Sequence, residues 1–171
     1  MRYDTLKILL VDDNQHARIL VTEILRSIGV QHVFEAADGS AGLQQLREHQ
    51  IDIIFTDLSM QPMDGIEFVR RLRNAPDSPN QMAPVIMVTG HFTLARVSAA
   101  RDAGVNEFLA KPLTARGVIE RLQRVIEHPR PFVRTAGYFG PDRRRRDDPE
   151  YRGPMRRKTD AAGRPAPTQE I

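Results

Sequence analysis

The chain contains no cysteine, which excludes disulfide bridges and thiolate metal sites and fits a cytoplasmic setting. Long apolar runs are also missing. No segment approaches the roughly 20 consecutive apolar residues that cross a bilayer. The opening MRYDTLKILLVDD has a short apolar run closed by two acids, unlike a secretion signal. Nor is there a long block of one charge. The arginine run at 143–146 is flanked by Asp142, Asp147, Asp148 and Glu150, which argues against a generic nucleic-acid arm. What is present suits one globular domain with an appendage: 171 residues, 40% hydrophobic and 27% charged. The net charge of +3 is unevenly spread. Residues 129–171 carry eleven basic and six acidic side chains, net +5, whereas residues 1–128 carry 14 and 16, net −2.

Residues 1–128 alternate between short apolar runs and helical patterns. Residues 6–11 (LKILLV), 32–36, 51–56 (IDIIFT), 84–88 (PVIMV) and 106–109 read as strands. Between them lie helical segments. The first carries Leu20, Ile24, Leu25 and Ile28 on one face and stops at Gly29. The last is capped by Thr114 and carries Val118, Ile119, Leu122, Val125 and Ile126. Five strand–helix units in strict alternation predict an α/β fold, a doubly wound parallel sheet with right-handed crossovers. Ligands of such sheets bind beyond the carboxyl ends of the strands, at the point where strand order reverses.

The residues at those strand ends are polar and reactive: Asp12 and Asp13 after strand 1, Asp57 at strand 3, Thr89 at strand 4 and Lys111 after strand 5. Three adjacent carboxylates raise one another's pKa unless a cation shares the site. With oxygen donors only, a hard ion such as Mg²⁺ is the natural choice. A metal-bound acidic cluster with one nucleophilic carboxylate, a lysine and a hydroxyl suits phosphoryl transfer through an aspartyl phosphate.

The segments LLVDDN (9–14), FTDLSMQPMDG (55–65), VTG (88–90) and LAKPL (109–113) come in one order and spacing. Through them residues 1–128 resemble the receiver domain of two-component response regulators, of the single-domain, chemotaxis-regulator type. The resemblance implies a flavodoxin-like five-stranded sheet of order 2-1-3-4-5. It implies phosphorylation of Asp57 by a histidine kinase or phosphotransfer protein. It further implies Mg²⁺ held by Asp13, Asp57 and the Ser59 backbone carbonyl, with Asp12 helping through water. Thr89 and Lys111 would bind the phosphoryl group, Phe108 would act with Thr89 as the switch, and the Lys111–Pro112 bond would be cis. Ser59 and His91 would tune the lifetime of the phosphate. A downstream protein would read the helix 4–strand 5–helix 5 surface, and a homodimer is left open. The protein would be a phosphoacceptor that assists its own phosphorylation and dephosphorylation, not an enzyme. The acceptor loop departs from the family pattern, with Gln61 after Met60 and the proline one place later at Pro62. Haloacid-dehalogenase-like phosphatases use similar chemistry, but from an Asp-x-Asp at the first strand, which this chain lacks.

Beyond residue 128 the pattern changes. Seven of the 12 prolines lie there. These 43 residues are too few, and of the wrong composition, for a folded DNA-binding or catalytic output domain. The reading is of a linker over 129–137 and a mostly irregular Pro/Arg-rich tail over 129–171. The tail repeats a phrase: Tyr138-x-Gly140-Pro141-x-Arg143-Arg144 returns as Tyr151-x-Gly153-Pro154-x-Arg156-Arg157. Tyrosine offers a rigid stacking anchor and paired arginines offer bidentate donors. Three roles follow: docking a protein partner, binding an anionic ligand such as a cyclic dinucleotide or RNA, or folding back on the mildly acidic domain. A charged tail without a specific partner is the plain alternative.

Overall fold

A computed structural model describes residues 2–76 and 78–143. Five strands, β1 (Lys7–Val11), β2 (His32–Ala36), β3 (Ile53–Asp57), β4 (Val85–Thr89) and β5 (Glu107–Ala110), form one parallel sheet of order β2-β1-β3-β4-β5. Five helices alternate with them: α1 (Gln15–Ser27), α2 (Gly39–Glu48), α3 (Gly65–Arg73), α4 (Leu94–Ala103) and α5 (Ala115–Glu127). The doubly wound architecture is the one expected from the alternation.

Successive strand residues point to opposite faces, and both faces are covered. Leu9, Val11, Ile54, Val85 and Met87 enter one apolar core with Phe68, Val69 and Leu72 of α3 and Ala100 of α4. Ile8, Leu10, Ile53, Phe55, Ile86 and Val88 enter the other with Val21 and Leu25 of α1 and Val118 and Leu122 of α5. Every helix opens on a side-chain cap. Asn14, Asp38, Asp64, Thr93 and Thr114 accept the N–H of the third helical residue, satisfying a donor that the helix itself leaves unpaired. The α1 face is rotated from the expected one. Val21 and Thr22 are buried with Ile24 and Leu25, while Leu20 is exposed beside Ile19. Leu20 falls outside the stripe that faces the sheet.

The linker reading of residues 129–137 is corrected. Two further strands, β6 (Phe132–Thr135) and β7 (Tyr138–Pro141), pair antiparallel across the two-residue turn Ala136-Gly137. Neither strand has enough apolar alternation to mark it in the sequence. The pair is held by Phe132 against Phe139, with ring centroids 5.6 Å apart, and by the Arg134 guanidinium 4.1 Å from the Phe139 ring centroid. Gly140 and Pro141 are buried where β7 meets α4.

Arg73, in the last turn of α3, is the least expected core residue, with 2% of its surface exposed. All five of its N–H donors are used, and none meets a carboxylate. Nε and Nη2 donate to Gly104 O, Nη2 also to Asn106 Oδ1, and Nη1 to Gln81 O and Ala83 O. Burial pulls the guanidinium down to about 9, so it stays charged at neutral pH. The Arg73→Met chain should lose about 2–3 kcal/mol, because buried carbonyls are left unpaired. The urea midpoint would fall at unchanged slope.

Candidate functional site

Strand order reverses between β1 and β3, and the crevice at their carboxyl ends collects the charged residues. Asp57, the last residue of β3, is 5% exposed, and Asp12, directly after β1, is 8% exposed. Asp13 beside it faces solvent. Carboxylate oxygens of Asp12, Asp13 and Asp57 lie within 4.8 Å of one another. Lys111, just beyond β5, places Nζ 3.1 Å from Asp57 Oδ1. The oxygen-only donor set, open on the Asp13 side, fits a hard divalent cation such as Mg²⁺.

The backbone explains why these groups converge. Asp12 Oδ1 accepts the Asn14 N–H at 2.8 Å, turning the chain from β1 into α1. Arg18, one turn into α1, donates to Asp12 O at 2.6 Å and pairs with Glu35, fixing the loop from the other side. Sequence reasoning missed Arg18, although its i+4 spacing from Asn14 places it on the face that turns back toward the strand end. Burial pushes the Asp12 carboxyl above the ordinary carboxylate value; the Asn14 N–H opposes the rise and the Asp57 charge adds to it. The Lys111 N–H donates to Thr89 O at 3.0 Å, joining the ends of β4 and β5. The Lys111–Pro112 bond is cis, as expected, and so is Gln61–Pro62.

The loop from Leu58 to Asp64 is closed by the Gly65 N–H donating to Leu58 O at 2.9 Å. Gly65 has no room for a side chain: a Cβ there would sit 2.2 Å from Asp57 O. Ser59 is exposed on this loop, while Met60 and Met63 are buried packing residues, as is Met87 on β4. The displaced proline of the loop thus leaves its anchor points in place.

Thr89 is 4% exposed, and its hydroxyl is turned onto its own loop. It donates to His91 O at 3.2 Å and accepts the His91 N–H at 3.1 Å. His91 itself is exposed. Phe108 is half-buried against the core on the α4 side and meets Phe92 edge-on, with centroids 6.4 Å apart. Among the described residues, the tail does not join this crevice. Tyr138 and Arg143 lie against α4, whereas Arg144, Tyr151, Arg156 and Arg157 fall outside the described residues.

Fold and crevice together define a flavodoxin-like α/β protein with one acidic, lysine-flanked site at its topological switch point. Comparison with known proteins sharpens the class. The family described as "Response regulator receiver domain" matches residues 8–123. The chain is 34% identical over 122 residues to "Chemotaxis protein CheY-3" of Vibrio cholerae, covering 71% of this chain and 92% of that protein. It is equally identical to "Chemotaxis protein CheY" of Pseudomonas aeruginosa, covering 97% of that protein. Among solved structures, V. cholerae CheY4 superposes with a TM-score of 0.66 at 31% identity, over 70% of this chain and 98% of that one. The receiver domain of the P. aeruginosa sensor histidine kinase PA1611, solved with magnesium in its active-site cleft, superposes with a TM-score of 0.64 at 30% identity, over 71% and 98%. This chain belongs to the response regulator receiver family, the signalling domains of two-component systems. No helix among the described residues is long and apolar enough to cross a membrane.

Proposed function

We propose that the protein is a phosphorylation-activated response regulator that accepts a phosphoryl group on Asp57. The observation that carries this reading is the convergence of three carboxylates and one ammonium at a single crevice. Asp12, Asp13, Asp57 and the Ser59 carbonyl would hold Mg²⁺. When bound, the ion supplies charge neutralisation for the carboxylates and the phosphoryl oxygens.

An Asp57 carboxylate oxygen attacks phosphorus as the bond to the donor's leaving atom breaks, giving an aspartyl phosphate and a released donor. A histidine kinase or phosphotransfer protein is the donor. Lys111, already 3.1 Å from Asp57, pairs with the phosphoryl oxygens that replace the carboxylate charge. Thr89 releases the His91 backbone and donates its hydroxyl to the phosphoryl group. Phe108 turns inward behind it, changing the α4–β5–α5 surface that a downstream protein reads. His91 and Ser59 flank the acceptor and govern access of the hydrolytic water. The full chain should gain one phosphoryl group from a small phosphodonor when Mg²⁺ is present and none after chelation, measured by intact mass. Asp13→Asn should weaken Mg²⁺ binding at least about tenfold by removing one unit of charge from the cluster. Mass gain that ignores both chelation and Asp13 would contradict the reading.

The tail bears on the output. In the first phrase, Arg143 is engaged by Asp102 and stacks 4.3 Å from the Tyr138 ring centroid. These contacts support the fold-back role for that phrase rather than capture of a nucleotide or RNA.

A further inference from the structure

We propose that the β6–β7 hairpin is a clasp on the α4–β5 junction whose docking opposes phosphorylation of Asp57; the proposal rests on the phosphoacceptor reading above. The contacts converge on six residues, 102–107. Arg143 pairs with Asp102 in the last turn of α4 and lies over Tyr138, whose hydroxyl donates to Pro141 O at 2.8 Å. Gly140 is pressed against Gly104, the left-handed cap of α4 at φ +108°. A Cβ on Gly140 would lie 3.1 Å from Gly104 Cα and 2.5 Å from Tyr138 Oη. Phe132 covers the Arg73 guanidinium at 4.9 Å, and Arg73 in turn holds Gly104 O and Asn106 Oδ1. Arg130, at the entry to the hairpin, reaches Glu107 at the start of β5.

The clasp matters because α4 is otherwise lightly held. It buries only Ala100 and Ala103, far less apolar surface than α3 with Phe68, Val69 and Leu72. A helix with so small an anchor shifts at low cost. Its far end begins just after the loop where Thr89 bonds His91, and β5 runs from Glu107 to the residue before Lys111. Both elements gripped by the hairpin at one end therefore carry the site at the other. The docked hairpin fits the arrangement in which the Thr89 hydroxyl stays on the His91 backbone. Pulling Thr89 and Phe108 toward a phosphoryl group displaces α4 and β5 from that fit. Linkage then makes the effect reciprocal: phosphorylation loosens the clasp, and loosening the clasp favours phosphorylation by the same factor.

The test is hydrogen exchange of the full chain with and without Mg²⁺ and beryllofluoride, a stable mimic of a phosphoryl group on aspartate. Backbone amides of residues 132–140 should exchange roughly fivefold faster or more when the mimic is bound, while the loop after Asp57 slows. The Gly140→Val chain, its hairpin wedged off, should bind the mimic roughly fivefold more tightly or better. Protection of the five parallel strands reports whether that variant remains folded; if it does not, exchange in the unmodified chain decides alone. An Asp57 loop that responds while the hairpin stays unchanged, or grows slower, overturns the clasp and leaves the phosphoacceptor reading standing. No response at either place overturns both.

Discussion

Gly65→Ala is expected to be among the most damaging single-methyl changes in the chain. The added Cβ would lie 2.2 Å from Asp57 O, 3.1 Å from Asp57 C and 3.1 Å from Leu58 Cα. All three are backbone atoms, so no side chain can swing aside. Either α3 moves outward from β3, or β3 is displaced at its last residue. Outward movement breaks the Gly65 N–H bond to Leu58 O and uncovers Phe68, Val69 and Leu72. Displacement moves the Asp57 carboxylate itself. We expect a stability loss of about 4 kcal/mol, at the upper end for a packing clash. Thermal unfolding of the full chain would show it as a large fall in Tm. The surviving folded fraction should also phosphorylate poorly, since the clash falls on the Asp57 backbone itself. By contrast, a methyl at Gly137, in the turn of the hairpin, would meet nothing within 4 Å. Gly137→Ala is the matched control.

Lys111→Ala should separate two electrostatic effects of opposite sign. The ammonium lies 3.1 Å from Asp57 Oδ1 and is about one-third exposed at 35%. Removing it takes away the cation that would pair with the phosphoryl oxygens, so phosphorylation from a small donor should slow by about a hundredfold, the usual cost of losing one charge-stabilising donor. The same change removes a positive charge that repels a metal ion from the cluster, so Mg²⁺ should bind as tightly or more tightly. Lys111→Arg should not restore the rate in full, because a planar guanidinium cannot place a point charge where the ammonium sits. A parallel loss of both properties would instead mean that Lys111 holds the site together structurally.

The sheet and its crevice were legible because each strand ends where a particular chemistry begins. Asp12, Asp13, Asp57, Thr89 and Lys111 all fall at or just beyond strand termini, and the alternation placed those termini on one edge. Thr114 was readable as a helix cap for the same local reason. Asp64-Gly65 was visible as a motif, but not the reason for it. Asp64 caps α3, and Gly65 is required by a contact with Asp57, eight residues earlier in the chain and apparent only once the loop is folded. Arg73 was hidden altogether. An arginine closing the run Arg70, Arg71, Arg73 reads as a solvated basic helix end, yet Arg71 pairs with Glu67 at the surface while Arg73 is buried by carbonyls from two later loops. The hairpin was unreadable because its strands are only four residues each and are held by ring contacts within the pair and by packing on α4, which leave no periodic pattern. The first Tyr-Gly-Pro-Arg phrase left three roles open, folding back on the domain among them; in the fold, Tyr138, Gly140 and Arg143 are spent on the domain's own Gly104 and Asp102.

The central claim is that Asp57 is the phosphoacceptor. The most direct measurement is to phosphorylate the full chain with a small phosphodonor in Mg²⁺, trap the acyl phosphate by reduction, and map the modified residue by peptide mass analysis. One modified position is expected, Asp57, and no modification in Asp57→Asn. A trapped residue elsewhere, or labelling that persists in Asp57→Asn, would contradict it.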